Sequence, residues 1–273
     1  TAMQTSQAVY VDPDNVGQVL VFPYYTVRND NSGNAYNTLI TVLNSSADAK
    51  AVKVRILEGM NSREVLDFNV YLSPFDVWVA SIRATATGAE IISPEDRTCI
   101  APRQLTTAAS FRNALLNEGG GIPGGTDRTR EGHIEMIEMG TISAGTATFN
   151  NINHTNGVAG NCAALVTADA TGAVASDIAF TYTDDGSLSG HAVIMNVQTG
   201  TEYSYDAIAL DSWRGIGSPT VWSFAGSTLP SLEQVDPISE VFFRGQAIVT
   251  DWSASPLAID AVSAVFMHTN VMN

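Results

Sequence analysis

The chain is short of three features that would point to whole classes of function: lysine, cysteine and long apolar runs. Only Lys50 and Lys53 are lysines, and a net charge of -15, from 28 acidic and 13 basic side chains, repels phosphate backbones and anionic lipid headgroups. Nucleic acid is therefore not an expected partner. No run approaches the ~20 apolar residues that a membrane-spanning helix needs, so membrane insertion is not expected either.

Cysteine occurs only at Cys99 and Cys162, and neither belongs to a CxxC pair or a histidine cluster, which argues against a metal role. In an acidic β chain rich in Ser, Thr, Asn and Gly, we predict a disulfide between them; two buried thiols are the alternative. In the loop-entropy model the bond restricts the unfolded chain by roughly 4 kcal/mol. Thr1 in place of an initiator methionine is typical of a chain matured by export. The sequence thus predicts an extracellular or cell-surface location.

Residues 36–82 set the fold prediction, because they contain four short apolar runs separated by turn residues. In the second run, Lys53 and Arg55 alternate with valine and isoleucine in the period-two pattern of a strand with one core face. Such runs, bounded by Asn, Gly, Ser and Pro, predict an antiparallel meander. About a dozen short strands with few helix signals predict an all-β antiparallel sandwich of the immunoglobulin-like or jelly-roll type, with one or two short helices.

The chain is predicted to form one extended domain. Residues 1–16 form an N-terminal extension, and residues 17–273 form a single β-sandwich with a loop-rich insertion at 84–130. A boundary near the glycine-rich loop at 119–125 is the alternative, but the predicted disulfide would bridge it.

Three segments contain sequence motifs that are similar to those of a known group of proteins. Residues 17–82 contain FPYYTV, NTLITV, VKVR and REVLDFNVYLSPFDVW. The other two segments are residues 128–139 (RTREGHIEMIEM) and residues 258–267 (AIDAVSAVFM). Together they resemble a group of uncharacterised exported bacterial surface proteins with an immunoglobulin-like β-sandwich module. The resemblance covers about half of the chain. It implies export and a β-sandwich, and it supplies no catalytic residues to carry over.

Two acidic turns contain oxygen ligands of the kind that Ca²⁺ accepts. Asp12 and Asp14 form the first turn, and Asp184 and Asp185 form the second. Neither turn matches the twelve-residue calcium loop, so turn formation is the favoured interpretation and no cofactor is predicted.

Catalytic candidates are few. His133 and Glu135 share one face of a predicted strand and could hold a metal or share a proton, but a solvated strand face is favoured. The segment GSLSG at 186–190 resembles the G-x-S-x-G motif of a nucleophile elbow, but Leu188 occupies the position of the nucleophilic serine. Sequence spacing does not show whether two carboxylates reach a catalytic separation. Those that could pair in space are Glu135, Glu138, Asp206 and Asp211.

Four aromatic residues form a candidate platform for stacking sugars: Tyr203, Tyr205, Trp213 and Trp222. Aromatic residues in strands more often form core or cross-strand pairs. A secreted adhesin or carbohydrate-binding module that takes a glycan is therefore the alternative function, and a secreted hydrolase is the third hypothesis.

The leading hypothesis starts from the short apolar run Ala8, Val9, Tyr10 and Val11, which the acidic turn at 12–15 separates from the sandwich. We predict that this run is a donor strand that completes the sheet of a neighbouring copy, because an added strand pairs a whole edge of backbone groups at once. The protein is then a structural subunit of an extracellular filament or surface layer, a homopolymer and not an enzyme.

Overall fold

The structure, a computed structural model, describes residues 9–117, 121–179, 186–213, 222–232, 238–243 and 246–251. Two large antiparallel sheets pack face to face as a sandwich. Two short α-helices, α1 (Ala147–Ile152) and α2 (Cys162–Thr171), lie against the larger sheet. The predicted fold class is therefore confirmed.

Within the described residues the chain forms eighteen strands. In chain order they are β1 (Tyr10–Val11), β2 (Val19–Thr26), β3 (Asn37–Asn44), β4 (Ala49–Glu58), β5 (Glu64–Leu72), β6 (Val77–Ala84), β7 (Ala89–Ile92), β8 (Cys99–Ala101), β9 (Ala109–Ser110), β10 (Glu131–Ile142), β11 (His154–Thr155), β12 (Val158–Ala159), β13 (Ile178–Ala179), β14 (Leu188–Asn196), β15 (Thr201–Asp206), β16 (Ile208–Asp211), β17 (Ile238–Phe243) and β18 (Gln246–Asp251).

The main core lies between the two sheets. The larger sheet has eight strands, in the order β1-β16-β2-β10-β4-β5-β8 with β13 beside β10, and the smaller has six, in the order β15-β14-β3-β6-β7-β9. Every second side chain of a strand points into this core. At its centre the rings of Phe68 and Trp78 meet edge to face, with 5.8 Å between their centroids. Burial of each such side chain stabilises the fold by roughly 1.5–3 kcal/mol.

The stretch 36–82 is not the single meander that its pattern predicts. β4 and β5 form a hairpin in the larger sheet, whereas β3 and β6 pair with each other in the smaller sheet. The chain therefore crosses between the sheets before β4 and again after β5. Alternation shows that each strand has a core face, but it does not say which strand lies alongside.

The segment 84–130, which the sequence predicts to be an insertion, contributes to both sheets. It supplies β7 and β9 to the smaller sheet and β8 to the larger one. A short 3-10 helix, Thr126–Arg130, follows and leads into β10. These residues therefore form the far edges of the sandwich.

A second layer covers the outer face of the larger sheet. Ala51 and Tyr71 on that face pack with Ile152 of α1 and Leu165 of α2. Every residue of β4 is consequently buried. The predicted disulfide is confirmed: the Cys99–Cys162 bond joins β8 to the first residue of α2, with 5.0 Å between the two Cα atoms.

A buried ion pair fastens the 3-10 helix to the end of β4. The Nε of Arg128 donates to Oε2 of Glu58 at 3.0 Å, its Nη2 lies 2.8 Å from Oε1, and the two side chains are 1% and 0% exposed. Burial alone would raise the pKa of the Glu58 carboxyl, but the Arg128 guanidinium and three backbone N–H groups of the β4–β5 turn lower it to about 2. Glu58 therefore stays charged inside the fold.

Glu58→Gln should lower the free energy of unfolding by about 3 kcal/mol, because it leaves the Arg128 charge buried opposite a neutral amide. A carboxylate whose pKa is lowered on folding, here from 4.5 to about 2, stabilises the fold fully above its unfolded pKa. That contribution disappears as the pH falls toward the folded pKa. The variant should therefore lose less stability than the wild type between pH 5 and pH 2.

Urea unfolding across this pH range measures both effects. The matched control is Glu90→Gln, which breaks the more exposed ion pair with Arg83 and should change the free energy of unfolding by less than about 0.5 kcal/mol. Equal losses of unfolding free energy in the two variants would contradict a stabilising role of the buried Glu58–Arg128 ion pair.

Candidate functional site

Among the described strands, β1 is a terminal strand of the larger sheet, and β17 lies near it. β1 pairs antiparallel with β16 through two residue pairs. Val9, just before it, is buried in an apolar cluster that contains Trp213. Ala8, the first residue of the predicted donor strand, lies outside the described residues. In a single chain β1 already pairs with β16 of its own sheet. To complete the sheet of a neighbouring copy, it would have to leave this place, so donation would be a strand exchange.

A tight turn connects β1 to β2. The Oδ1 atom of Asp12 accepts hydrogen bonds from the backbone N–H of Asp14 at 2.8 Å and of Val16 at 3.4 Å. This is the chemistry of an Asx turn, and it engages the oxygen that was a candidate Ca²⁺ ligand. The other candidates, Asp184 and Asp185, lie outside the described residues. In the part of the chain that the structure describes, no group of three or more His, Cys, Asp or Glu side chains could hold a metal ion.

β15 is the terminal strand of the smaller sheet. Six consecutive residue pairs join it to β14 without a bulge. On its other side, no strand of the described part of the chain pairs with it. Five of its six residues are exposed, and Tyr203 is 64% exposed. The backbone groups on this side are therefore open to water or to another strand.

Three tyrosines border this open edge, and we call them the tyrosine patch. Tyr203 and Tyr205 lie side by side, with 6.0 Å between ring centroids and 35° between ring planes. The Tyr205 hydroxyl donates to the backbone oxygen of Tyr24, in the larger sheet. Burial raises the pKa of the Tyr205 hydroxyl to about 12. Tyr24 is itself 44% exposed, so the patch presents aromatic surface from both sheets.

The other two aromatic residues of the predicted platform lie elsewhere. Trp213 is fully buried in the cluster that contains Val9. Trp222 lies over the outer face of the larger sheet, where it packs against Phe224 at 4.8 Å between ring centroids and donates from Nε1 to the Tyr71 hydroxyl at 3.1 Å. The structure therefore does not gather the four into one platform, because the chain changes sheets after β15.

A segment at 222–226 covers the middle of the larger sheet, and an ion pair holds it. Lys53 donates from Nζ to Oδ2 of Asp67 at 3.0 Å and to the backbone oxygen of Phe224 at 2.7 Å. The backbone N–H of Gly226 donates to the same Asp67 oxygen at 2.6 Å. Both charged side chains are buried. The segment is therefore bound to the sheet through its own backbone.

His133 and Glu135 belong to the same covered face. The Nε2 of His133 lies 4.0 Å from Glu135, whose carboxylate instead accepts a hydrogen bond from Arg55 at 2.9 Å. Arg55 also donates to Glu64 at 2.8 Å. Burial and the nearby Arg55 charge lower the pKa of His133. The prediction of a solvated strand face is therefore wrong. Glu135 is only 8% exposed and belongs to a buried ion-pair network with Arg55 and Glu64.

The remaining carboxylates that could form a hydrolytic pair each bind a different partner. Lys50 of the larger sheet binds Glu138 at 2.9 Å. Asp206 lies on the smaller sheet, 3.0 Å from His191. Asp211 is buried and accepts hydrogen bonds from two backbone N–H groups. Each of the three is thus engaged in a different contact.

A polar cleft of about 410 Å³, which the sequence analysis missed, brings Ser73, Asp76 and His154 together. The Oγ of Ser73 lies 2.7 Å from Nδ1 of His154, and Oδ2 of Asp76 lies 3.6 Å from the same nitrogen. In a serine hydrolase the serine and the carboxylate bind opposite nitrogens of the ring. The three side chains therefore do not have the hydrogen-bond arrangement of a catalytic triad, because Ser73 and Asp76 approach the same nitrogen of His154. No motif links these residues, since 81 positions separate Ser73 from His154.

Lys53→Met should lower the free energy of unfolding by about 3 kcal/mol, because it removes the cationic partner of the buried Asp67 carboxylate. It should also release the segment 222–226 from the sheet. In a hydrogen-exchange measurement the backbone amides of 222–226 should then exchange faster in the variant, by more than those of β3. The double variant Lys53→Met/Asp67→Leu should recover most of the stability, because an apolar pair tolerates burial. Unchanged exchange at 222–226 in the single variant would rule out this anchoring role.

Comparison with known proteins adds no relative: no family model matches the chain, and no curated protein and no solved structure is similar to it. The resemblance to exported surface proteins therefore stays a prediction. Among the described helices, none has the length and apolar character to cross a membrane.

Proposed function

We propose that the protein is a structural subunit of an extracellular filament or surface layer, and that neighbouring copies are joined by exchange of the N-terminal strand. The observation that carries the proposal is the way β1 is held. Among the described residues it pairs with β16 through two residues, and Val9 fills an apolar cluster built by the rest of the subunit. Such a strand can leave its own sheet and enter the equivalent place in another copy.

Exchange is energetically inexpensive because it recreates the same contacts between two chains. Withdrawing β1 exposes Val9 and the partly buried Val11, at a cost of roughly 3 kcal/mol together, and breaks a few backbone hydrogen bonds worth about 1 kcal/mol each. This sum lies at the low end of the ~5–15 kcal/mol that unfolding a whole domain requires. Exchange that runs from each copy to the next does not close on itself, so it propagates as a filament.

Two further properties support an extracellular structural role. The Cys99–Cys162 bond suits an oxidising compartment. The net charge of -15 keeps separate subunits soluble, so that a specific contact is needed to bring copies together.

A carbohydrate-binding adhesin is the second candidate function, and the tyrosine patch is the observation that favours it. Of the residues predicted to stack on a sugar, Tyr203 and Tyr205 are the pair that the structure keeps together. In that case Tyr203→Ala should abolish binding on a glycan array, whereas assembly by strand exchange should be unaffected.

Paired cysteines can distinguish exchange from the closed monomer. Val11 and Leu210 are direct partners across β1 and β16, so Val11→Cys/Leu210→Cys places two thiols at disulfide distance. Protein that is oxidised after assembly should give a ladder of covalent multimers on a non-reducing gel, because each bond then joins two chains. Protein that is oxidised as a dilute monomer should stay monomeric and form no filaments under negative stain.

Val11→Cys alone is the matched control and should give no species larger than a dimer. Filaments that still form after oxidation of the monomer, or assembled material that contains only intramolecular bonds, would contradict strand exchange.

A further inference from the structure

The open edge of β15 offers a contact that strand exchange does not use. We infer that β15 pairs antiparallel with β15 of a second copy and joins the two smaller sheets into one continuous sheet. This inference goes beyond the proposed function and holds whether or not β1 is exchanged.

The first argument is that this strand is longer than the other terminal strands of the two large sheets and contains no lysine, proline or bulge. Natural sheets keep their edges short or block them with lysine, proline or a bulge, because an open edge pairs with any available strand. The other terminal strands of the two large sheets follow this rule, since β1 and β9 have two residues each and β8 has three. β15 has six residues, TEYSYD, which include no lysine and no proline. Its regular pairing with β14 leaves it straight enough to accept another strand.

The second argument is that, of the two registers that pair five residues of β15 with a second copy, one opposes no acidic residues. Opposed residues must share a face, so the allowed registers differ by steps of two. With Tyr203 opposite Tyr203 of the second copy, Glu202 lies opposite Ser204 and no acidic residues face each other. Centring the pair on Ser204, the other register with a five-residue overlap, would oppose Glu202 to Asp206. Registers centred on Glu202 or Tyr205 would pair only three residues of the strand. Like charges directly opposed destabilise a strand pair.

The third argument concerns the aromatic surface. Tyr203 lies opposite Ile194 of β14, and Tyr205 lies opposite Ala192, so both tyrosines are on the face that those buried residues share. In the proposed register the two copies of Tyr203 meet across the axis. Such aromatic cross-strand pairs contribute roughly 0.5–1 kcal/mol. The most exposed part of the tyrosine patch would thus be covered by its own symmetry mate.

Net charge opposes the association of two copies, so the contact must avoid opposed carboxylates. Two chains of net charge -15 repel each other over most of their surfaces, but in this register no carboxylate of β15 lies opposite another. Within β15 the carboxylate of Asp206 lies 3.0 Å from Nδ1 of His191, and Glu202 would face a neutral serine. A two-fold contact of this kind is closed, so it joins copies in pairs.

Cysteine scanning tests both the pairing and its register. Under mild oxidation Tyr203→Cys should give a disulfide-linked dimer, because the two thiols face each other across the two-fold axis. Ser204→Cys is the matched control: its copies are offset along the strands, and it should remain monomeric. Dimers from Ser204→Cys in place of Tyr203→Cys would overturn the register, and dimers from neither would overturn the pairing.

The equilibrium is measured by sedimentation of Val11→Cys/Leu210→Cys oxidised as a monomer, in which β1 is fixed in its own sheet. This protein should dimerise reversibly, and Tyr203→Glu on the same background should weaken the dimer at least tenfold by opposing two carboxylates. Dimerisation that is unaffected by Tyr203→Glu would overturn the inference. Failure of strand exchange would not change this result, so the two proposals fail separately.

Discussion

The ion pair between Lys53 and Asp67 determines how the larger sheet is covered. Both side chains point away from the sandwich core, and both are buried because the segment 222–226 lies over them and takes hydrogen bonds from Lys53 and gives one to Asp67. Burial lowers the pKa of Lys53, and the Asp67 charge opposes that shift. Either charge alone in this place would cost several kcal/mol, so the pair and its cover are stable only together.

This cover makes the two sheets unequal. The larger sheet is packed on both faces, whereas the outer side chains of β3 alternate with buried ones and remain partly exposed on the smaller sheet. β1 and the edge of β15 occur close together, since β15 leads through Ala207 into β16, which is the partner of β1. The Tyr205 hydroxyl, bonded to the backbone of Tyr24, ties the two sheets at this place. The two strands that we propose as assembly contacts are therefore neighbours in the fold.

Alternation along the strands was enough to predict the sandwich and its core face, and the two cysteines were enough to predict the disulfide. The covered outer face was not predictable in this way, because the residues that bury Lys53 come from a segment about 170 positions later in the chain. One signal was present: both lysines of the chain lie in β4, and both form buried ion pairs. The Ser73–His154 contact gave no signal, since a long-range contact between single residues leaves no periodic pattern.

The two proposed contacts differ in kind, and the difference determines what each can build. Exchange of β1 recreates contacts that the subunit already has, so it gains little free energy per copy but extends without limit. Pairing of β15 adds new hydrogen bonds over a short strand, which makes it a weak contact that closes after two copies. A weak contact becomes effective when a chain of linked subunits presents many of them at high local concentration. Edge pairing that joins free subunits only weakly would therefore be stronger between filaments, and would join them side by side.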